Sequence, residues 1–146
     1  MKKNGQITAF YIEALLLIVV FLAIILVLTQ VFGLARQQSI AAGQLTDAVT
    51  LAGNAAEAVS ASADPDELFR LLDEAGNAVK QPDGKGLLAY YDQKRAPDPK
   101  GCFCVDVSWD EEPAETGTMI SSVIQVFCGK PEEPIYRLET SSFREA

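Results

Sequence analysis

The chain has 146 residues, a formal charge of −8 and no histidine. Without imidazole there is no Ser-His-Asp or Cys-His arrangement, and no Walker-type or GxGxxG glycine loop cradles a phosphate, so neither an enzyme nor a bound cofactor is expected. Nine Lys or Arg stand against 19 Asp or Glu from Gln37 to Ala146, an acidic body that repels phosphates, so nucleic acid is not an expected partner.

The first eight residues form a short basic leader, with Lys2 and Lys3 the only charges before Glu13. From Ala14 to Ala35 there are 22 residues without a charge and without proline. In a helix that run reaches about 33 Å, enough for a hydrocarbon core of roughly 30 Å. A transmembrane helix is therefore predicted over residues 9–35. The two lysines before it, against Arg36 alone beyond it, place the N-terminus in the cytoplasm and the acidic body outside. A cleaved secretory signal is the rival reading. Its apolar region is shorter and ends at a small-residue cleavage site, whereas this run passes into a further helical pattern.

Residues 36–62 are predicted to continue the helix as an amphipathic stem. Leu45, Val49, Ala52, Ala56 and Val59 step by four, three, four and three, a narrow apolar stripe weakened at Gly43 and Gly53. Such a stripe either lies on the protein's own domain or packs against copies of itself.

The remainder, 63–146, reads as an extracytoplasmic α+β domain. Asp64-Pro65-Asp66-Glu67 supplies an N-cap, a proline at the first helical position and an early acid. Leu68, Leu71, Leu72 and Ala75 mark the buried side of that short second helix, and Gly76-Asn77 its end. Residues 79–86 read as turn. Four strands follow, at 87–91, 102–109, 118–128 and from Ile135 through Thr140, separated by charged, proline-bearing or acidic loops. They predict a four-stranded antiparallel meander packed on the stem.

Cys102 and Cys104 fall on one face of their strand, and Cys128 ends the next strand. Outside the cytoplasm, one of the first two is a candidate to bridge to Cys128; buried free thiols are the alternative. Cysteines two apart on one strand are badly placed to bond to each other. No metal site is expected, because three cysteines without histidine or a CxxC pair do not make a zinc site. The acidic loop with Asp110, Glu111, Glu112 and Glu115 lacks the ligand spacing of a calcium loop and reads as solvated.

A basic leader with Lys2-Lys3-Asn4-Gly5, then Phe10-Tyr11-Ile12-Glu13-Ala14-Leu15-Leu16 and a continuing stem, resembles type IV pilins and the related pseudopilins. The stem followed by an antiparallel sheet is pilin-like in architecture as well. The resemblance implies a minor structural subunit of a pilus-like or secretion-type envelope filament. Its expected partners are the membrane, copies of itself or other pilin-like subunits, a prepilin peptidase and the assembly machinery. In that family the peptidase cuts after the glycine and methylates the new N-terminus, and a glutamate fifth in the mature chain meets the amine of a neighbour. Here Glu13 is eighth after a cut at Gly5, fifth after a cut at Thr8 and fourth after a cut at Ala9, so all three are candidate processing positions. Two rival classes share the early glutamate or the anchor: TadE-like pilus-associated proteins, and single-pass proteins with a small external binding domain that never polymerise.

Overall fold

The computed structural model describes residues 2–129 and 131–145. Met1, Lys130 and Ala146 lie outside them. Contacts divide the chain into two compact units, Met1–Ala42 and Gly43–Ala146. Helix α1 (Lys2–Ala61) contributes to both. The second unit thus begins inside the predicted stem.

In the first unit α1 carries large apolar side chains on every face, and from Ile7 to Leu34 they are exposed. A helix hydrophobic all round needs an apolar surrounding, because water alone would leave this whole surface unfavourably hydrated. Its polar exceptions are contained locally. The Thr29 hydroxyl donates to the carbonyl of Ile25 at 2.8 Å, so it makes its hydrogen bond within the helix.

The second unit is an α+β domain. Strands β1 (Ala78–Lys80), β2 (Gly86–Tyr91), β3 (Phe103–Ala114), β4 (Gly117–Cys128) and β5 (Tyr136–Glu145) form a single antiparallel meander in that order. The expected four strands are therefore five. The added strand is β1, three residues that overlap the start of the stretch read as turn at Val79 and Lys80; Ala78, Val79 and Lys80 pair with Ala89, Leu88 and Leu87. Three residues are too short to display an alternation, and Gly84 beside them, with a φ of 72°, signals the turn more loudly than the strand.

The acidic loop also disappears. β3 runs through Asp110–Ala114 and pairs in register from Phe103↔Cys128 to Ala114↔Gly117, leaving only Glu115-Thr116 to turn the hairpin. Pro113 is tolerated there because β2 reaches no farther along β3 than Ser108, so β3 has an open edge at the proline. The last strand is likewise longer than expected and pairs with β4 from Val126↔Tyr136 to Gly117↔Glu145.

Alternation along β3 and β4 directs Phe103, Val105, Val107, Ile120, Ile124 and Val126 inward. All but Ile120 share one core with Leu87 and Ala89 of β2, with Leu68 and Leu72 of the second helix, and with the distal part of α1. The face of α1 in that core is Ala48, Leu51, Ala52, Ala55 and Val59. Ala52 and Val59 belong to the predicted stripe, Ala56 is partly buried, and Leu45 and Val49 remain 44 % and 42 % exposed. The buried face is thus displaced from the predicted one. The strands supply the bulk, through Phe103, Leu87, Ile124 and Val105, and the opposing helix supplies alanines that let this bulk fill the layer. Choosing the largest apolar residues as the core picks the wrong side of such a helix.

Helix α2 (Pro65–Leu72) begins where its cap residues require. The Asp64 carboxylate accepts from Glu67 N–H at 2.7 Å, and Glu67 in turn accepts from Ala63 N–H at 2.6 Å. It ends earlier than expected, at Leu72, and Leu71 and Ala75 are exposed. The cause is Asn77, fully buried, whose side-chain oxygen accepts from the N–H groups of Glu74 and Ala75 at 3.1 and 3.3 Å. Its amide nitrogen donates to Tyr90 O at 3.1 Å, tying the end of this turn to β2. The N–H groups of Glu74 and Ala75 are satisfied by a side chain, so they have no need of a longer helix.

Candidate functional site

Two places in the chain concentrate functional chemistry. The first is the head of the apolar run. Glu13 is exposed on α1 immediately before Ala14, and among the described residues nothing donates a hydrogen bond or an ion pair to its carboxylate. Gly5, Thr8 and Ala9 lie upstream in the same helix, all exposed. The Thr8 hydroxyl donates to Asn4 O at 2.8 Å. Along the helix axis Glu13 stands about 12 Å beyond Gly5 and about 7.5 Å beyond Thr8. These positions therefore form an exposed helical ladder that leads to one unpartnered carboxylate.

The second place is the end of the sheet where β3 begins and β4 finishes. Cys102 is exposed, Cys104 and Cys128 are half-buried, and all three are free thiols. Cys128 is the Cα partner of Phe103, so Cys102 is the residue directly beside that pair. Burial pushes the Cys128 thiol up, and the neighbouring Cys102 pushes it further in the same direction.

Cys104 belongs to a different neighbourhood. It pairs with Tyr90 on β2 and Phe127 on β4. Burial raises its pKa, with the Tyr90 hydrogen bond opposing the rise. The Tyr90 phenol is raised in turn, first by Cys104 and then by burial. Cys102 and Cys104 thus both adjoin Phe103, the Cα partner of Cys128, and Cys104 also stands opposite Tyr90.

Two glycines set the backbone on either side of the thiol pair. At Gly101 an added Cβ would lie 2.1 Å from the carbonyl oxygen of Tyr91, so only glycine fits before Cys102. Gly129, directly after Cys128, has a φ of 72°, a left-handed conformation glycine adopts without strain. Neither glycine was singled out by the sequence pattern, although Gly-Cys at 101–102 and Cys-Gly at 128–129 are visible in it.

The acidic residues do not converge. Asp110 and Glu112 alternate with Glu111 along β3, so they project from opposite faces of the strand. Lys85 Nζ reaches Asp110 at 3.3 Å, and among the described residues no group of three His, Cys, Asp or Glu side chains is arranged to hold a metal ion. At that same end of the domain, Arg144 Nη2 donates to Ser62 O at 3.0 Å, holding β5 to the exit of α1. Ser122 nearby is 2 % exposed with a hydroxyl that has no partner among the described residues.

Fold and site together define a class: an α+β meander domain on a helix whose preceding part is long and apolar enough to cross a membrane. No family model, curated protein or solved structure matches the chain.

Proposed function

We propose that this protein is a minor pilin-like subunit of a type IV pilus-like or pseudopilus envelope filament. It is stored in the membrane through its apolar helix and assembled through the same helix. The observation that carries the reading is Glu13, a carboxylate without an internal partner at the head of 22 uncharged residues. Beside an apolar medium such a charge is costly unless an opposite charge satisfies it. The free amine of a neighbouring subunit supplies that charge and makes the carboxylate selective for a correctly placed neighbour.

The extended α1 supports the reading further, because one continuous helix carries the apolar run into an antiparallel sheet domain, the order of elements in pilins. Lys2 and Lys3 beside the apolar run favour a cytoplasmic N-terminus, with the acidic domain on the other side. The protein's part is structural: assembly and presentation, with no reaction of its own.

Intact-mass measurement of the protein from its host membrane tests the reading. A chain shortened at Gly5, Thr8 or Ala9 and bearing a methyl group supports it, and the mass selects among the three positions. An uncut, unmethylated N-terminus favours a TadE-like or non-polymerising membrane protein. Glu13→Gln, which keeps the size and removes the charge, is expected to reduce incorporation into sheared surface filaments at least tenfold, about 1.4 kcal/mol of lost subunit attraction. Equal incorporation removes the role assigned to Glu13.

A further inference from the structure

We propose that the open edge of β3 between Trp109 and Pro113 docks an extended, lysine- or arginine-bearing segment of a partner protein. β3 outruns β2, whose last pair is Gly86↔Ser108, so beyond Ser108 one side of the strand faces no other strand. The bond from Trp109 N–H to Lys85 O at 3.0 Å shows which backbone groups point to that side. By alternation they are those of Trp109, Glu111 and Pro113. Their donors are absent or engaged. Proline has no N–H, the Trp109 N–H serves Lys85 O, and the Glu111 N–H donates to Asp110 Oδ1 at 3.2 Å. That side of the strand is left to carbonyl oxygens two residues apart, the spacing at which an extended chain presents its own N–H groups on one side.

Charge selects the partner. Asp110, Glu111, Glu112 and Glu115 stand along this stretch, and among the described residues Lys85 is the one cation paired with any of them. These acids and Pro113 repel a like edge of another copy, so the edge is closed to indiscriminate pairing. A cationic segment meets both features, because its N–H groups find the carbonyls and its side chains find the carboxylates.

A second observation places a ligand beside the edge. Pro65, Trp109 and Glu111 border an open depression and, adjoining it, a cavity of about 20 Å³. Val59, Leu68 and Ile120 give that cavity apolar walls. Ser122 lines it with a hydroxyl that is buried and has no partner among the described residues. The space admits one small group, and the hydroxyl offers it a hydrogen bond. Side chains of an added strand alternate between the two faces of the sheet. One set meets Trp109, Glu111 and the cavity, and the other meets Asp110 and Glu112. The segment that fits carries serine or threonine on the first face and cations on the second. The edge belongs to the folded domain and does not depend on filament assembly.

The probe is a short peptide alternating lysine and threonine, blocked at both ends and free of tryptophan. It is titrated into the full-length chain in uncharged detergent micelles, with the emission of the single Trp109 as the readout. Binding is expected with a Kd on the order of 100 μM, and a glutamate–threonine peptide is expected to bind at least tenfold more weakly. Methylating the alternate backbone nitrogens that meet the edge keeps the charges and removes the donors; it is expected to weaken binding about tenfold as well. Ser122→Ala is expected to weaken the lysine–threonine peptide about fivefold and to leave a lysine–valine peptide unchanged. Equal binding of the methylated peptide, an equal response of both peptides to Ser122→Ala, or no change in Trp109 emission up to about 1 mM peptide overturns the proposal. A shift of that emission with protein concentration alone assigns the edge to a second copy and overturns it too.

Discussion

Replacing Asn77 with alanine removes three hydrogen bonds from a side chain that is wholly buried. Its oxygen serves Glu74 N–H and Ala75 N–H, and its nitrogen serves Tyr90 O. A typical intramolecular hydrogen bond contributes about 0.5–1.5 kcal/mol net, and a buried group left unpaired costs about 1–3 kcal/mol. The two N–H groups lie in a partly buried turn that water reaches, so they sit near the low end, and Tyr90 O keeps a second donor, the N–H of Asp98 at 3.1 Å. The expected loss is about 2 kcal/mol for the three bonds, a sizeable fraction of the stability of a small domain. Urea denaturation of the full-length chain in micelles measures it, with the single Trp109, half-buried on β3, as the fluorescence probe. Asn77→Asp sharpens the test, because it keeps an acceptor for Glu74 and Ala75 but sets a carboxylate against Tyr90 O. It is expected to cost at least as much as alanine. If Asn77→Ala costs less than about 0.5 kcal/mol, Asn77 does not hold the turn to β2.

The phase of α1 is tested by a pair of substitutions. Ala52→Leu inserts bulk at a position with no exposure and is expected to cost about 1–3 kcal/mol, whereas Leu45→Ala trims a side chain 44 % exposed and is expected to cost under about 1 kcal/mol. The same urea titration ranks them, and the reverse order would restore the Leu45 stripe. Asp106 provides a pH test. It accepts from Gln81 Nε2 at 2.9 Å, yet burial raises its carboxyl pKa despite that bond, with Asp83 adding to the rise. A folded pKa above the unfolded one supports the fold fully below the unfolded value, about 3.9, and that support is lost as pH rises through the folded pKa. Asp106→Asn is therefore expected to melt higher than wild type at pH 7, with the difference shrinking as pH falls toward about 3.9. A difference that does not change over that window would show that the buried charge is not its source.

Where a local signal was complete, sequence and structure agree. The start of α2 follows from the carboxylates of Asp64 and Glu67, which need only the residues beside them to make their bonds. The central strands follow from alternation: Phe103, Val105 and Val107 are buried while their neighbours are not. Signals that needed a distant partner went astray. The end of α2 depends on Tyr90, thirteen residues beyond Asn77, and β1 exists because Leu87–Ala89 lies beside it. The acidic stretch at Asp110–Ala114 reads as loop because repelling charges disfavour burial, but as the exposed end of a strand paired with β4 it has nothing to bury.

The cysteines divide in the same way. The sequence shows that Cys102 and Cys104 share a strand, and it leaves either one open as a mate for Cys128. Register sets Phe103, which both adjoin, opposite Cys128 and places Cys104 between Tyr90 and Phe127. Sequence by itself determined the long apolar run, the carboxylate at its head and the general succession of helix and sheet, because these follow from hydrophobicity, charge and periodicity along the chain. Tertiary structure decided which face of α1 is buried, how many strands the meander has and which residues stand opposite the cysteines. Those depend on residues far apart in sequence, brought together only when the side chains of the sheet and the alanines of the helix fill one core.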